Sequence, residues 1–150
     1  MRRIICLGNV LFEADDAGPK VFALLSERAL PEGVEVIDGG LGGLGLLRFL
    51  EGAERVVFVD STVGLAPPDA DVVTLDPGRV AALASSGFDH AAGLPYLLKA
   101  MPLVLDTPTP SIGIVGIQGA HGRDVLERAA TLALRLLTEP TATRGSEVPS

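Results

Sequence analysis

The sequence has no tryptophan, one tyrosine and one cysteine, and aromatic residues make up 4% of it. So few rings leave no platform on which bases could stack. No stretch clusters lysine and arginine, and the formal net charge is −7, so the basic footprint that nucleic acid requires is missing. The lone Cys6 lies within an apolar strand-like run. It cannot close an internal disulfide, which fits a reducing compartment, and it reads as a small buried hydrophobe. No apolar run approaches the ~20 residues that span a bilayer. Met1-Arg2-Arg3 leads straight into strand-like sequence, without the apolar core and cleavage site of a signal peptide. These absences lead us to expect a cytoplasmic protein, monomeric and not inserted in membranes. A His-Glu-x-x-His helix and a Gly-x-Ser-x-Gly elbow are also missing, which leaves zincin and serine-hydrolase chemistry unsupported.

What is present is a regular alternation. Hydrophobic residues make up 47% of 150 residues, enough for one domain with its own core. Strands are expected at residues 3–7, 34–38, 55–60, 71–75 and 111–116. Helices are expected near 17–29, 43–51, 91–101 and 123–137, with a helical turn at 79–86. The last helix carries an Asp124–Arg128 pair at helical spacing. Runs such as Val56-Val57-Phe58-Val59 are apolar throughout rather than alternating, as in strands covered on both faces. The pattern predicts an α/β fold: a three-layer α/β/α sandwich around a five-stranded, mainly parallel twisted sheet. The segment 71–75 is short and flanked by acids, so it is expected at an edge, where an antiparallel direction is open to it. Residues 1–138 are expected to form the single domain, and 139–150, with two prolines and few apolar residues, a flexible tail.

Polar residues that bear chemistry gather where strands end. Asp15 and Asp16 follow the first strand and precede a helix. Carboxylates there either cap free N–H groups or reach a ligand, because open α/β sheets bind ligands at the carboxyl ends of their strands. Asp60 closes Arg55-Val56-Val57-Phe58-Val59. An acid there needs a cation or hydrogen-bond donors, and the amides of Ser61 and Thr62 are the local candidates. His90 precedes a helix, and His121, the other histidine, follows the last strand in a glycine-rich loop. Asp38-Gly39-Gly40 ends the second strand, where glycines suit a tight turn. The glycines of 39–45 carry no Walker lysine, so they do not read as a phosphate cradle.

The ordered set Gly8-Asn9-Val10-Leu11-Phe12-Glu13-Ala14-Asp15-Asp16-Ala17-Gly18, Asp38-Gly39-Gly40, Asp60, His90 and Gly113-Ile114-Val115-Gly116-Ile117-Gln118 resembles the nickel–iron hydrogenase maturation endopeptidases. The likeness runs from about residue 4 to 137 and is collinear. The acid pair lies one residue farther from Leu11 than in the family pattern. Gly119-Ala120-His121-Gly122 stands where the family commonly has proline and acids. The resemblance implies an endopeptidase that removes the C-terminal extension of a nickel-loaded hydrogenase large-subunit precursor, its partner. It implies Asp16, Asp60 and His90 as catalytic metal ligands and Asp38, Gly39 and Gly40 as substrate-binding, while Asp15 is left either to cap the helix or to hydrogen-bond a neighbouring ligand. Nickel would come with the substrate, and a divalent ion such as zinc would occupy the site in its absence. Two other readings of the residues stand beside it: a non-cleaving nickel-site checkpoint docking on the large subunit, and a small-molecule enzyme on the same scaffold.

Overall fold

A computed structural model describes residues 1–8, 16–61, 69–85, 93–119 and 121–139. Its five strands are β1 (Arg2–Leu7), β2 (Val34–Gly40), β3 (Arg55–Ser61), β4 (Val72–Thr74) and β5 (Ser111–Ile117). They form one sheet in the order β2-β1-β3-β5-β4. β1, β2, β3 and β5 run parallel, and β4 pairs antiparallel with β5 at the edge. The short acid-flanked segment is therefore the antiparallel edge strand. The helices are α1 (Ala17–Ser26), α2 (Leu47–Leu50), α3 (Pro77–Ala82), α4 (Gly93–Val104) and α5 (Arg123–Thr138). Three-residue 3₁₀ turns at Leu44–Leu46 and Leu83–Ser85 adjoin α2 and α3.

Strand alternation divides the core in two. Ile4, Cys6, Val57, Val59, Val115 and Ile117 pack beneath α1 and α5. Ile5, Leu7, Val56, Phe58 and Ile114 pack beneath α2, α3 and α4. Successive side chains leave a strand on opposite faces, so a strand covered on both sides is apolar at every position. Helices on both faces make the α/β/α sandwich that the alternation predicted.

Several boundaries differ from the sequence reading, each for a local reason. β2 runs on through Gly39 and Gly40 rather than stopping at Asp38. The β1–β2 register shifts between Cys6 and Leu7, so that Leu7 pairs with Gly40. Gly40 has φ +60°, and a Cβ on Gly39 would lie 2.8 Å from the side chains of Ile5 and Leu7. Two glycines let the strand pass this irregularity. The expected helix at 43–51 contracts to a 3₁₀ turn and the four residues of α2. Gly43 at φ +93° and Gly52 at φ +77° punctuate it at both ends. α3 starts earlier than expected because Asp76 caps it: its Oδ2 accepts from Arg79 N at 2.9 Å, and Pro77 occupies the first turn. α4 continues through Pro102 to Val104. Proline lacks its own N–H, but Leu105 N reaches Met101 O at 3.1 Å and the ladder resumes. Arg128 bonds Asp71 instead of Asp124, and the i,i+4 pair on α5 is Arg123–Glu127.

Candidate functional site

The strand order places a topological switch at β1 and β3. The chain leaves β1 toward β2 on one side, and β3 lies on the other. In open α/β sheets the crevice at such a point, beyond the carboxyl ends of the strands, is where ligands bind. Asp16 follows β1, Asp60 is the penultimate residue of β3, and His121 follows β5, so all three belong to this rim. Asp38 sits near the carboxyl end of β2 on the same edge.

Asp16 is placed by Gly18. A Cβ on Gly18 would fall 1.8 Å from the Leu7 carbonyl oxygen. Only glycine lets the first turn of α1 sit against the end of β1, which fixes the residue just before the helix. Asp16 occupies the N-cap position of α1, yet its carboxylate makes no capping hydrogen bond. It turns to other partners: Oδ1 accepts from His121 Nε2 at 2.7 Å, and Oδ2 faces Lys20 Nζ at 3.1 Å. Asp16 is 8% exposed and is the buried charged residue among those described. Burial alone pushes its carboxyl up. The hydrogen bonds and charges of Lys20 and His121 outweigh this and hold it below the usual carboxylate range. Asp16 is thus a buried, ionised carboxylate at the rim, and the helix-cap explanation does not account for it.

Asp60 pairs in register with Gly116 of β5. Its Oδ1 accepts from Ser61 N at 2.8 Å, one of the two loop amides that the sequence offered; Thr62 lies outside the described residues. By alternation Asp60 shares the face of Val56 and Phe58, while Ser61 shares that of Val57 and Val59. Ser61 Oγ is buried with no hydrogen-bond partner among the described residues. Asp38 Oδ1 accepts from Gly40 N at 3.2 Å, which steadies the glycine pair. His90 lies outside the described residues, as do Asn9 and Asp15. Among the described residues, no group of three or more His, Cys, Asp or Glu is arranged to hold a metal ion.

Cys6 is fully buried, and burial together with the charge of Asp38 drives its thiol far above the ordinary cysteine value. A thiol held in that state is no nucleophile. The residue that sequence reasoning left without a role is His121. Its ring is nearly buried, with Nδ1 3.4 Å from Gly119 O and Nε2 on Asp16. The signal was available: it is a histidine just past the carboxyl end of a central strand.

Residues 19–129 match the HycI hydrogenase maturation protease family, a span that holds Asp38, Gly39, Gly40, Asp60, His90 and His121. The chain is 29% identical over 155 residues to the hydrogenase expression/formation protein HupM of Azotobacter chroococcum mcd 1, covering 91% of this chain and 71% of that protein. It is 26% identical over 116 residues to the hydrogenase 2 maturation protease of Escherichia coli K12, covering 76% and 70%. The hydrogenase maturating endopeptidase HybD of E. coli shares its fold, with a TM-score of 0.70 at 24% identity over 97% of this chain and 93% of that one. With most of its length matched to one family, and with its sheet order and rim as described, the chain belongs to the hydrogenase maturation proteases.

Proposed function

We propose that this chain is the endopeptidase that removes the C-terminal extension of a nickel-loaded hydrogenase large-subunit precursor, and that nickel reaches it as part of that substrate. The observation that carries this reading is Asp16, a buried carboxylate kept ionised at the carboxyl rim, with Asp60 near the end of β3, the strand beside β1. Two carboxylates and the imidazole of His90 make an oxygen and nitrogen donor set that suits a borderline divalent ion with open positions. Zinc would be accommodated by the same donors. A bound ion would supply Lewis acidity to the scissile carbonyl or to an attacking water. The chain's own residues hold and orient: Asp16 and Asp60 bind, and Asp38-Gly39-Gly40, on an edge strand, receives the substrate's extended segment. Cys6 takes no part. Metal dependence, a cytoplasmic setting and a monomeric state belong to this proposal. No helix among the described residues is long and apolar enough to cross a membrane.

The test is mass spectrometry of a nickel-loaded precursor incubated with the chain. The expected result is loss of a discrete C-terminal peptide, with no cleavage of nickel-free precursor. Asp16→Asn, Asp60→Asn and His90→Ala should each abolish cleavage, because loss of one donor of three leaves the ion poorly held. Cys6→Ala should cleave normally. Cleavage that survives all three ligand changes overturns the mechanism. Binding without any mass change would favour the non-cleaving checkpoint.

A further inference from the structure

The two oxygens of Asp16 have partners of unlike mobility. Lys20 lies one turn along α1, and its side chain is 53% exposed. An ammonium on a flexible stem in water is easily exchanged, and exposed pairs of this kind are weak. His121 is the opposite case. Its side chain is 8% exposed, its ring lies between Asp16 Oδ1 and the Gly119 carbonyl, and its contact ties the β5–α5 loop to the start of α1. A carboxylate only accepts hydrogen bonds, so Nε2 carries the proton and the ring's orientation is fixed. Removing it would leave a buried acceptor unpaired. Metal-binding carboxylates are held by such outer hydrogen bonds, which set their direction.

We infer that His121 is the positioning residue of Asp16 and Lys20 its displaceable counter-ion. A divalent ion reaches Asp16 by exchanging with Lys20 at Oδ2 while His121 keeps Oδ1. This rests on Asp16 being a metal ligand, as proposed above. Lys20 then acts as a stand-in cation that keeps the buried carboxylate compensated until the metal-bearing substrate arrives. His121 is the sequence's own solution at a loop where the family pattern has proline and acids.

Calorimetric titration of the full chain with nickel ion alone separates the assignments, with thermal unfolding of each variant as the check on folding. Lys20→Met should bind nickel about two- to fivefold more tightly, the size expected for loss of an exposed competing pair. His121→Leu should bind it roughly 10–100-fold more weakly. His121→Gln, whose amide can still donate to Oδ1, should recover most of that loss. Unchanged or weaker binding by Lys20→Met overturns the counter-ion assignment. Unchanged affinity in folded His121→Leu overturns the positioning role. A His121→Gln variant that is folded yet as weak as His121→Leu makes the ring itself a ligand, which also overturns it. Asp16→Asn separates the underlying reading: nickel binding that survives it means that Asp16 is not a ligand of the ion, and no binding by the wild-type chain at millimolar nickel overturns the exchange at Oδ2 in the free chain.

Discussion

The two ends of the central sheet are built from opposite charges. At the amino end stand Arg2, Arg3 and Arg55, each at or next to the start of its strand. Each guanidinium reaches a carbonyl at the end of a helix. Arg2 Nη1 donates to Leu137 O at 2.6 Å, Arg3 Nη1 to Phe49 O at 2.7 Å, and Arg55 Nη1 to the carbonyls of Leu136 and, at 2.9 Å, Glu139. The final carbonyls of a helix lack partners within it and carry its negative dipole end, so cations there satisfy both. Glu54 and Glu35 complete the set through ion pairs with Arg2 and Arg3. At the carboxyl end stand acids instead, Asp16, Asp38 and Asp60, among glycines. The contrast separates tasks. Arginines fasten α2 and α5 to the sheet at one end, and the other end holds a buried, ionised carboxylate.

The largest expected effect comes from breaking that division at its hinge. Gly18→Ala forces a Cβ onto the Leu7 carbonyl, where 1.8 Å is available. Backbone cannot yield as a flexible side chain can, so α1 has to move off the end of β1. A loss of roughly 3 kcal/mol or more is expected, read as a fall in urea midpoint, and Asp16 should be displaced along with the helix. If Gly18→Ala keeps both wild-type stability and precursor cleavage, α1 is not fixed by this contact.

Next in size is a change confined to the amino end. Arg55→Met removes the donor to two carbonyls at the end of α5 while keeping an apolar stem of similar length. Hydrogen bonds from a charged donor contribute about 2 kcal/mol in such settings. The expected outcome is a lower unfolding midpoint with unchanged cleavage of the precursor by the folded variant. A variant that loses cleavage at full stability would show that the two ends are coupled.

The same contrast explains what could be read beforehand. The sheet was legible because burial on both faces writes itself as unbroken apolar runs in β1, β3 and β5, and acids around 71–75 marked an edge. The aspartates of the rim were legible as acids at strand ends. The pairing of Asp16 with His121 was not, because it joins residues 105 positions apart and depends on how two loops meet after the strands are ordered. Nor were the arginines of the amino end. Arg128 was expected to bond within its own helix and instead crosses to Asp71, since local spacing says which side chains can meet and not which tertiary partner competes. α4 was expected to end near 101 and runs on to Val104, because a helix that loses one N–H near its last turn can still close the next bond.

The smallest expected effect sharpens the comparison, since the carboxyl end also holds an acid tied to an arginine. Asp71 lies just before β4, whose first residue pairs with Ile117 at the end of β5. Its carboxylate is paired with Arg128, and the hydrogen bond and charge of that guanidinium hold it below the usual range. Both side chains are about half exposed, at 45% and 55%, so solvent and salt weaken the pair. For a carboxyl lowered on folding, the stabilisation is complete above the unfolded value of about 3.9. It is lost as pH falls through the folded value, because both states are then protonated. Asp71→Asn should therefore lower the thermal midpoint slightly at neutral pH. Its deficit against wild type should shrink as pH falls below about 4, where the unfolded chain's carboxylate begins to take up a proton, and should shrink at high salt. Precursor cleavage should be unaffected, since the pair fastens β4 to α5 and offers no donor to the rim. A deficit that widens on acidification would mean that Asp71 is held in its neutral form, and one that ignores salt would mean that its contact is not electrostatic.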